Sequence, residues 1–199
     1  MTEKRKGSPR ARSVYGSERT SRTKTIVMTA LFAALVAVGA FIQIPTLSVP
    51  ITLQFAFCLM TAHVMGTKGG NSVAIYVAMG LVGLPVFTGG GGIMYVLKPS
   101  FGYLIGMIAG TYLCGFISSL RRKSYWLRLI GSLSALFIVD LIGALYMYLI
   151  YNFYLGTSMG VAELMMSAVV VFLPTDVTWC VLMSLAGYKL EGTRFSLNR

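Results

Sequence analysis

The sequence predicts an all-α membrane protein of about six membrane-crossing helices with both termini in the cytoplasm. Of its 199 residues, 56% are hydrophobic and 12% charged, where a soluble domain carries roughly 25% charged residues; the mean hydropathy is +0.74. After Lys24 the chain is little else but apolar segments suited to the roughly 17–25 residues that a hydrocarbon core about 30 Å thick requires. When those segments are counted as six, every one of the seventeen Lys and Arg residues except Lys98 falls on the same face, a strong positive-inside pattern that five or seven crossings would destroy. The loops at Pro45–Pro50, Pro85–Pro99 and Asn152–Gly160 are then external.

Met1–Lys24 holds eight Lys or Arg against two Glu and shows no apolar periodicity, so it reads as a disordered basic cytoplasmic tail. A cleaved signal peptide fits less well, because the following apolar run is long for one and a long polar stretch precedes it. Residues 25–190 form the membrane domain and 191–199 a short cytoplasmic tail. Helix 1 is expected over Thr25–Ile44, helix 2 over Ile51–Met65, helix 3 over Gly70–Leu84, helix 4 over Ser100–Leu120 and helix 5 over Tyr125–Tyr151. The last apolar stretch, Val161–Leu190, would be about 45 Å long as one helix, too long for an upright crossing. Pro174 divides it into a short helix from Val161 to about Phe172, lying at or dipping into the outer surface, and a final helix starting near Pro174, since proline suits a first turn.

The basic balance, a net charge of +11, follows from this topology, with no basic and aromatic interleaving of the nucleic-acid-binding kind. Cys58, Cys114 and Cys180 sit singly in separate apolar segments and read as packing residues, not metal ligands. His63 has neither metal-ligand spacing nor a Gly-x-Ser-x-Gly partner, and reads as a packed histidine. No Gly-Lys-Ser or Gly-Lys-Thr motif follows the four glycines Gly89–Gly92, so the chain has no phosphate loop of its own. Those glycines free the backbone either as a flexible linker or as a hinge for a lid. The apolar and aromatic residues around them favour a lid over a small-molecule pocket.

Carboxylates in apolar segments are costly and usually face a cavity or a partner. Asp176, in the first turn of the last helix, complements the helix dipole and serves either as a cap or as an acceptor for ligand N–H groups. Asp140 is divided between helix packing and a pocket, and Glu163 reads as interfacial and solvated. Neither aspartate lies in the Gly-x-Gly-Asp sequence of an intramembrane aspartyl protease, and no reactive dyad marks an enzyme. In helix 1, Ala30 with Ala34 and Ala33 with Ala37 form small-residue pairs that allow close packing by another helix, internal or foreign.

Four stretches together are distinctive: Val49-Pro50-Ile51-Thr52-Leu53-Gln54, Gly80-Leu81-Val82-Gly83-Leu84-Pro85 running on to Gly92, Pro99-Ser100-Phe101-Gly102-Tyr103-Leu104-Ile105-Gly106, and Phe172-Leu173-Pro174-Thr175-Asp176. In order and spacing over about Thr25–Gly187 they resemble the BioY family, the biotin-binding S-components of energy-coupling factor transporters. The resemblance implies a six-helix S-component in the bacterial cell membrane that binds biotin from outside, carries no cofactor or metal, and is not an enzyme. It implies as partners a transmembrane coupling protein and two cytoplasmic ATPases, within which the S-component topples to deliver its ligand. By the same resemblance Ala30, Ala33, Ala34 and Ala37 form the contact for the coupling protein. Asp176 accepts from the ureido N–H of biotin, and Thr52, Gln54, Gly89, Gly90, Tyr95 and Tyr103 fall on pocket-lining stretches.

One departure stands out. Family members typically carry Lys three positions after this aspartate, where this chain has Trp179. Lys98 meanwhile replaces a usual glycine, and is expected to supply part of the missing charge to the ligand carboxylate or to Asp176, with the Trp179 indole packing on the ligand ring. The exchange leaves a biotin relative, such as dethiobiotin or lipoate, or another vitamin as an alternative ligand.

Overall fold

In the computed structural model the described residues are 9–44, 51–121, 124–156, 160, 166 and 172–190. Six α-helices lie among them: α1 Pro9–Phe41, α2 Gln54–Met65, α3 Gly69–Leu81, α4 Phe101–Leu120, α5 Tyr125–Leu149 and α6 Leu173–Leu190. Three stretches are long and apolar enough to cross a membrane, Arg22–Phe41, Phe101–Leu120 and Tyr125–Tyr154. With 12 and 13 residues, α2 and α3 extend about 18–20 Å at 1.5 Å per residue. The expected short helix after Val161, and Glu163 on it, lie outside the described residues.

Two boundaries differ from the sequence reading. First, α1 begins at Pro9, so residues 9–24 continue the helix instead of forming an unstructured tail. Extending an existing helix adds one hydrogen bond per residue without a new nucleation cost, and proline is well suited to the first helical position. Second, the chain between α1 and α2 is not a plain loop. Gln43 and Ile44 pair antiparallel with Thr52 and Ile51, and Leu53 N–H donates to Ile42 O at 3.0 Å. Ile44 precedes Pro45 and is therefore disfavoured in the helical region, while the β-branched Ile44, Ile51 and Thr52 favour extended pairing. This hairpin delivers Thr52 and Gln54 to one end of the bundle.

The tightest packing is between α4 and α5. Gly102, Gly106 and Gly110 recur every four residues along α4 and so lie on one face. A Cβ on Gly106 would stand 2.8 Å from Val139 Cα and 3.0 Å from Val139 O, and one on Gly110 3.0 Å from Ala135 O. From the other side, a Cβ on Gly143 of α5 would meet the Tyr103 ring at 2.5 Å. The two backbones thus approach as closely as small residues permit, which fixes Asp140 beside α4. The core of the bundle is aliphatic and aromatic, with Val36, Leu59, Val73, Tyr76, Phe87 and Met147 among its buried members.

Candidate ligand-binding site

At the end of the bundle where α2, α4 and α6 begin, their first turns and the second half of α5 enclose a cavity. The hairpin and α2 contribute Thr52, Gln54 and Phe55; the glycine loop and the 3-10 turn after it contribute Thr88 and Tyr95. From the start of α4 come Ser100, Tyr103, Leu104 and Met107, from α5 Val139 and Asp140, and from the start of α6 Phe172 and Asp176. The empty space is about 610 Å³, a figure that includes its open mouth. Its wall is mixed: aromatic and aliphatic surface for a ring system or chain, and two carboxylates, an amide and hydroxyls for a polar head.

Each polar group is placed by local structure. Asp176 lies in the first turn of α6, where its own N–H is taken up by Phe172 O at 2.9 Å and its charge complements the positive end of the helix dipole. Asp140 faces the cavity because the glycine seam fixes the rotation of α5 against α4. The carboxylates of Asp140 and Asp176 interact electrostatically. Tyr103 stacks near Phe172, ring centroids 6.4 Å apart.

The four glycines form an ordered turn. Phe87 and Gly90 exchange two backbone hydrogen bonds at 2.9 and 3.1 Å, and Gly92 N–H donates to Gly80 O at 2.7 Å. Gly90 and Gly92 have φ of +107° and +102°, a region that glycine enters at little cost. The turn drives Phe87 into the bundle, 1% exposed, between Tyr76 and Tyr95 with ring centroids at 5.5 and 4.5 Å. The Tyr76 hydroxyl donates to Val86 O at 3.1 Å. The loop is therefore anchored at its apolar root and passes Thr88 and Tyr95 across the cavity.

Of the residues singled out from sequence, Thr52, Gln54, Tyr95, Tyr103, Asp140 and Asp176 come together on the cavity wall. Gly89, Gly90, Lys98 and Trp179 do not line it. Gly89 O accepts from Lys98 Nζ at 2.8 Å, and the same ammonium lies 4.8 Å above the Tyr95 ring, a cation–π position behind a wall residue. Lys98 thus stands at the rim, bound to the glycine turn instead of Asp176. Trp179 is half-buried, because the inward face of α6 runs through Cys180, Ser184 and Gly187. On α1, Ala33 is 1% exposed and Ala37 packs against the core, whereas Ala30 and Ala34 are exposed.

Sequence reasoning missed Phe55, Thr88, Ser100, Leu104, Met107, Val139 and Phe172 on the wall. Met107 was findable, since it lies four positions after Tyr103 on the same side of α4, and Leu104 lies three positions before Met107. A second polar group was missed altogether. At the far end of the same four helices, His63 Nε2 bonds Ser132 Oγ at 3.0 Å and its Nδ1 bonds Ser118 Oγ at 3.2 Å, while Ser132 continues to Ser184 Oγ at 3.0 Å. Arg128 Nη1 donates to His63 O at 3.3 Å. These buried groups tie α2, α4, α5 and α6 together, about 13 Å along α2 from Gln54 at 1.5 Å per residue. Replacing His63 with Leu removes two buried hydrogen bonds, with Ser132 keeping its bond to Ser184, and should cost about 1–3 kcal/mol. Thermal unfolding in detergent should show this loss with ligand affinity changed less than about threefold, the site being distant.

Among the described residues no group of three His, Cys, Asp or Glu side chains is placed to hold a metal ion.

Comparison with known proteins agrees with this architecture. The family model described as "BioY family" matches residues 11–194. A protein of Lysinibacillus sphaericus named "Probable biotin transporter BioY" is 42% identical over 139 residues, 67% of this chain and 69% of that one. A "Biotin transporter BioY" of Rhizobium etli is 31% identical over 172 residues, covering 83% and 91%. Among solved structures, the S-component for biotin from an ECF-type ABC transporter superposes with a TM-score of 0.76 at 28% identity, over 87% of this chain and 94% of that one. With a match spanning nearly its whole length and a helical bundle of the same form, the chain belongs to the BioY family.

Proposed function

We propose that this chain is the biotin-capturing S-component of an energy-coupling factor uptake system. The observation that carries the reading is a cavity at one end of an apolar bundle in which Asp140 and Asp176 face aromatic and aliphatic surface. Such a wall suits a compact ring bearing N–H donors joined to an apolar chain. The protein spans the bacterial cell membrane six times with both termini in the cytoplasm, which puts the cavity outside. Binding, not turnover, is its activity. Energy comes from partner ATPases through a coupling protein that docks on α1 at Ala30 and Ala34, whose small exposed side chains permit close helix packing.

Asp176 accepts from a ureido N–H of biotin, while Tyr95 and Tyr103 flank the ligand. Lys98 meets the ligand's carboxylate at the rim. It is the sole Lys or Arg between Lys68 and Arg121, and no Lys, Arg or His lines the cavity among the described residues. An exposed ion pair is weak and salt-sensitive, so Lys98→Ala should weaken biotin about 3- to 10-fold and leave biotin amide, which has no carboxylate, unaffected. Titration calorimetry at low salt reads both; equal losses for the two ligands contradict the assignment.

Trp179 in place of the family's lysine favours comparison with biotin relatives. Uptake of labelled biotin by cells without their own biotin import, expressing this chain with and without a coupling protein and ATPases, tests the whole reading. Accumulation competed by unlabelled biotin and not by lipoate is expected. Preferential competition by lipoate would move the assignment to that ligand, and no accumulation in either case would remove the transport function.

A further inference from the structure

The glycine loop carries a surface suited to hydrocarbon, although the topology makes it an external loop. Residues 82–97 hold no charged side chain, and Val82, Leu84, Ile93 and Met94 are 87%, 49%, 67% and 69% exposed. Apolar side chains scattered singly on a surface are ordinary, but several on one uncharged stretch of chain mark a face that something else covers. Helix length indicates what covers it. α3 starts at Gly69, directly after the exposed Lys68, and has 13 residues, so it rises about 20 Å even when upright. A hydrocarbon core is about 30 Å thick, and with Lys68 at the cytoplasmic headgroups α3 ends about 10 Å short of the outer boundary. α2, which packs beside it, is one residue shorter, at 12. The chain leaving α3 therefore starts inside the outer leaflet.

Irregular backbone at that depth has to satisfy its own polar groups, and this loop is folded accordingly. The N–H groups of Gly83 and Gly92 both donate to Gly80 O, at 3.2 and 2.7 Å, Leu84 N–H donates to Met79 O at 3.2 Å, and Phe87 and Gly90 bond each other. The Gly92 bond also keeps Ile93 and Met94 close to the end of α3. We propose that the glycine loop is seated in the outer leaflet, with Val82, Leu84, Ile93 and Met94 in contact with lipid acyl chains, so that the lid over the cavity is anchored in the membrane. The assignment rests on the membrane-spanning reading above and is independent of which ligand is bound.

Spin labelling of the full chain, reconstituted in phospholipid bilayers with one added cysteine at a time, tests this. Cys58, Cys114 and Cys180 are buried, so the nitroxide attaches at the added position. At Val82→Cys, Ile93→Cys and Met94→Cys the ratio of collisions with oxygen to collisions with a water-soluble nickel complex should be about tenfold above that at Lys68→Cys, because the hydrocarbon core excludes water and polar solutes. Phe137→Cys, midway along α5 and exposed, sets the value for lipid. Labels at 82, 93 and 94 that all read as water, like Lys68→Cys, overturn the proposal and leave the surface to a protein partner. Should one variant fail to fold, the other two decide. Water at 137 would overturn the spanning bundle as well, whereas lipid at 137 with water at 82, 93 and 94 removes this inference alone.

Discussion

Asp176→Asn should lower biotin affinity about 100-fold without destabilising the fold. The substitution keeps the size and cap position of the side chain but removes the charge, and hydrogen bonds to charged groups contribute roughly 1.5–3 kcal/mol each. A fold penalty is not expected, because Asp140 shares the cavity and interacts with Asp176. Neutralising one carboxylate relieves that repulsion while giving up a favourable dipole interaction of roughly 0.3–1 kcal/mol. Calorimetry and thermal unfolding on the same preparation separate the two effects. A variant that binds as tightly as the wild type, or one that loses binding only because it melts, would remove Asp176 from the site.

Gly106→Val should be among the most damaging single substitutions in the α4–α5 seam. The new Cβ would stand 2.8 Å from Val139 Cα and 3.0 Å from Val139 O. Those are backbone atoms that cannot rotate aside, so the helices must separate. Overpacking of this kind costs about 1–3 kcal/mol or more, on the order of 5–10 °C in unfolding temperature for a chain of this length. Biotin affinity should fall with it, since Val139 and Asp140 are both on the cavity wall. Gly160→Ala is the control: nothing lies within 4 Å of an added Cβ there, and neither property should change.

The parts of this molecule visible in the sequence are those written in one contiguous stretch. Apolar segments and turn residues located helix 4 at 100–120, against Phe101–Leu120 in the structure, and Pro174 placed Asp176 in a first helical turn. Contacts between distant residues were not visible. Nothing near Gly89–Gly92 announces that Phe87 packs beneath the turn against Tyr76 and Tyr95, so the sequence favours a lid over a flexible linker without showing where the turn is anchored. His63 was read singly as a packing residue; its partners Ser118, Ser132 and Ser184 stand on three other helices, and each is unremarkable alone. Trp179 illustrates a helical-spacing argument that was too coarse. Three residues from Asp176 suggests a shared face, but the buried line of α6 runs through Cys180, Ser184 and Gly187, and Trp179 is not on the cavity wall. The Gly102, Gly106 and Gly110 ladder is legible as a small-residue repeat like the alanine pairs of α1, but the Val139 and Ala135 backbone it packs against is not.

Calorimetric titration of biotin into the detergent-solubilised chain alone, with no ATPase or coupling protein present, bears most directly on the claim that this bundle is itself the capture device. Saturable one-to-one binding in the nanomolar range, lost in Asp176→Asn and not reproduced by lipoate, is the predicted result. A wild-type chain that takes up no biotin, or whose binding is indifferent to position 176, would contradict it.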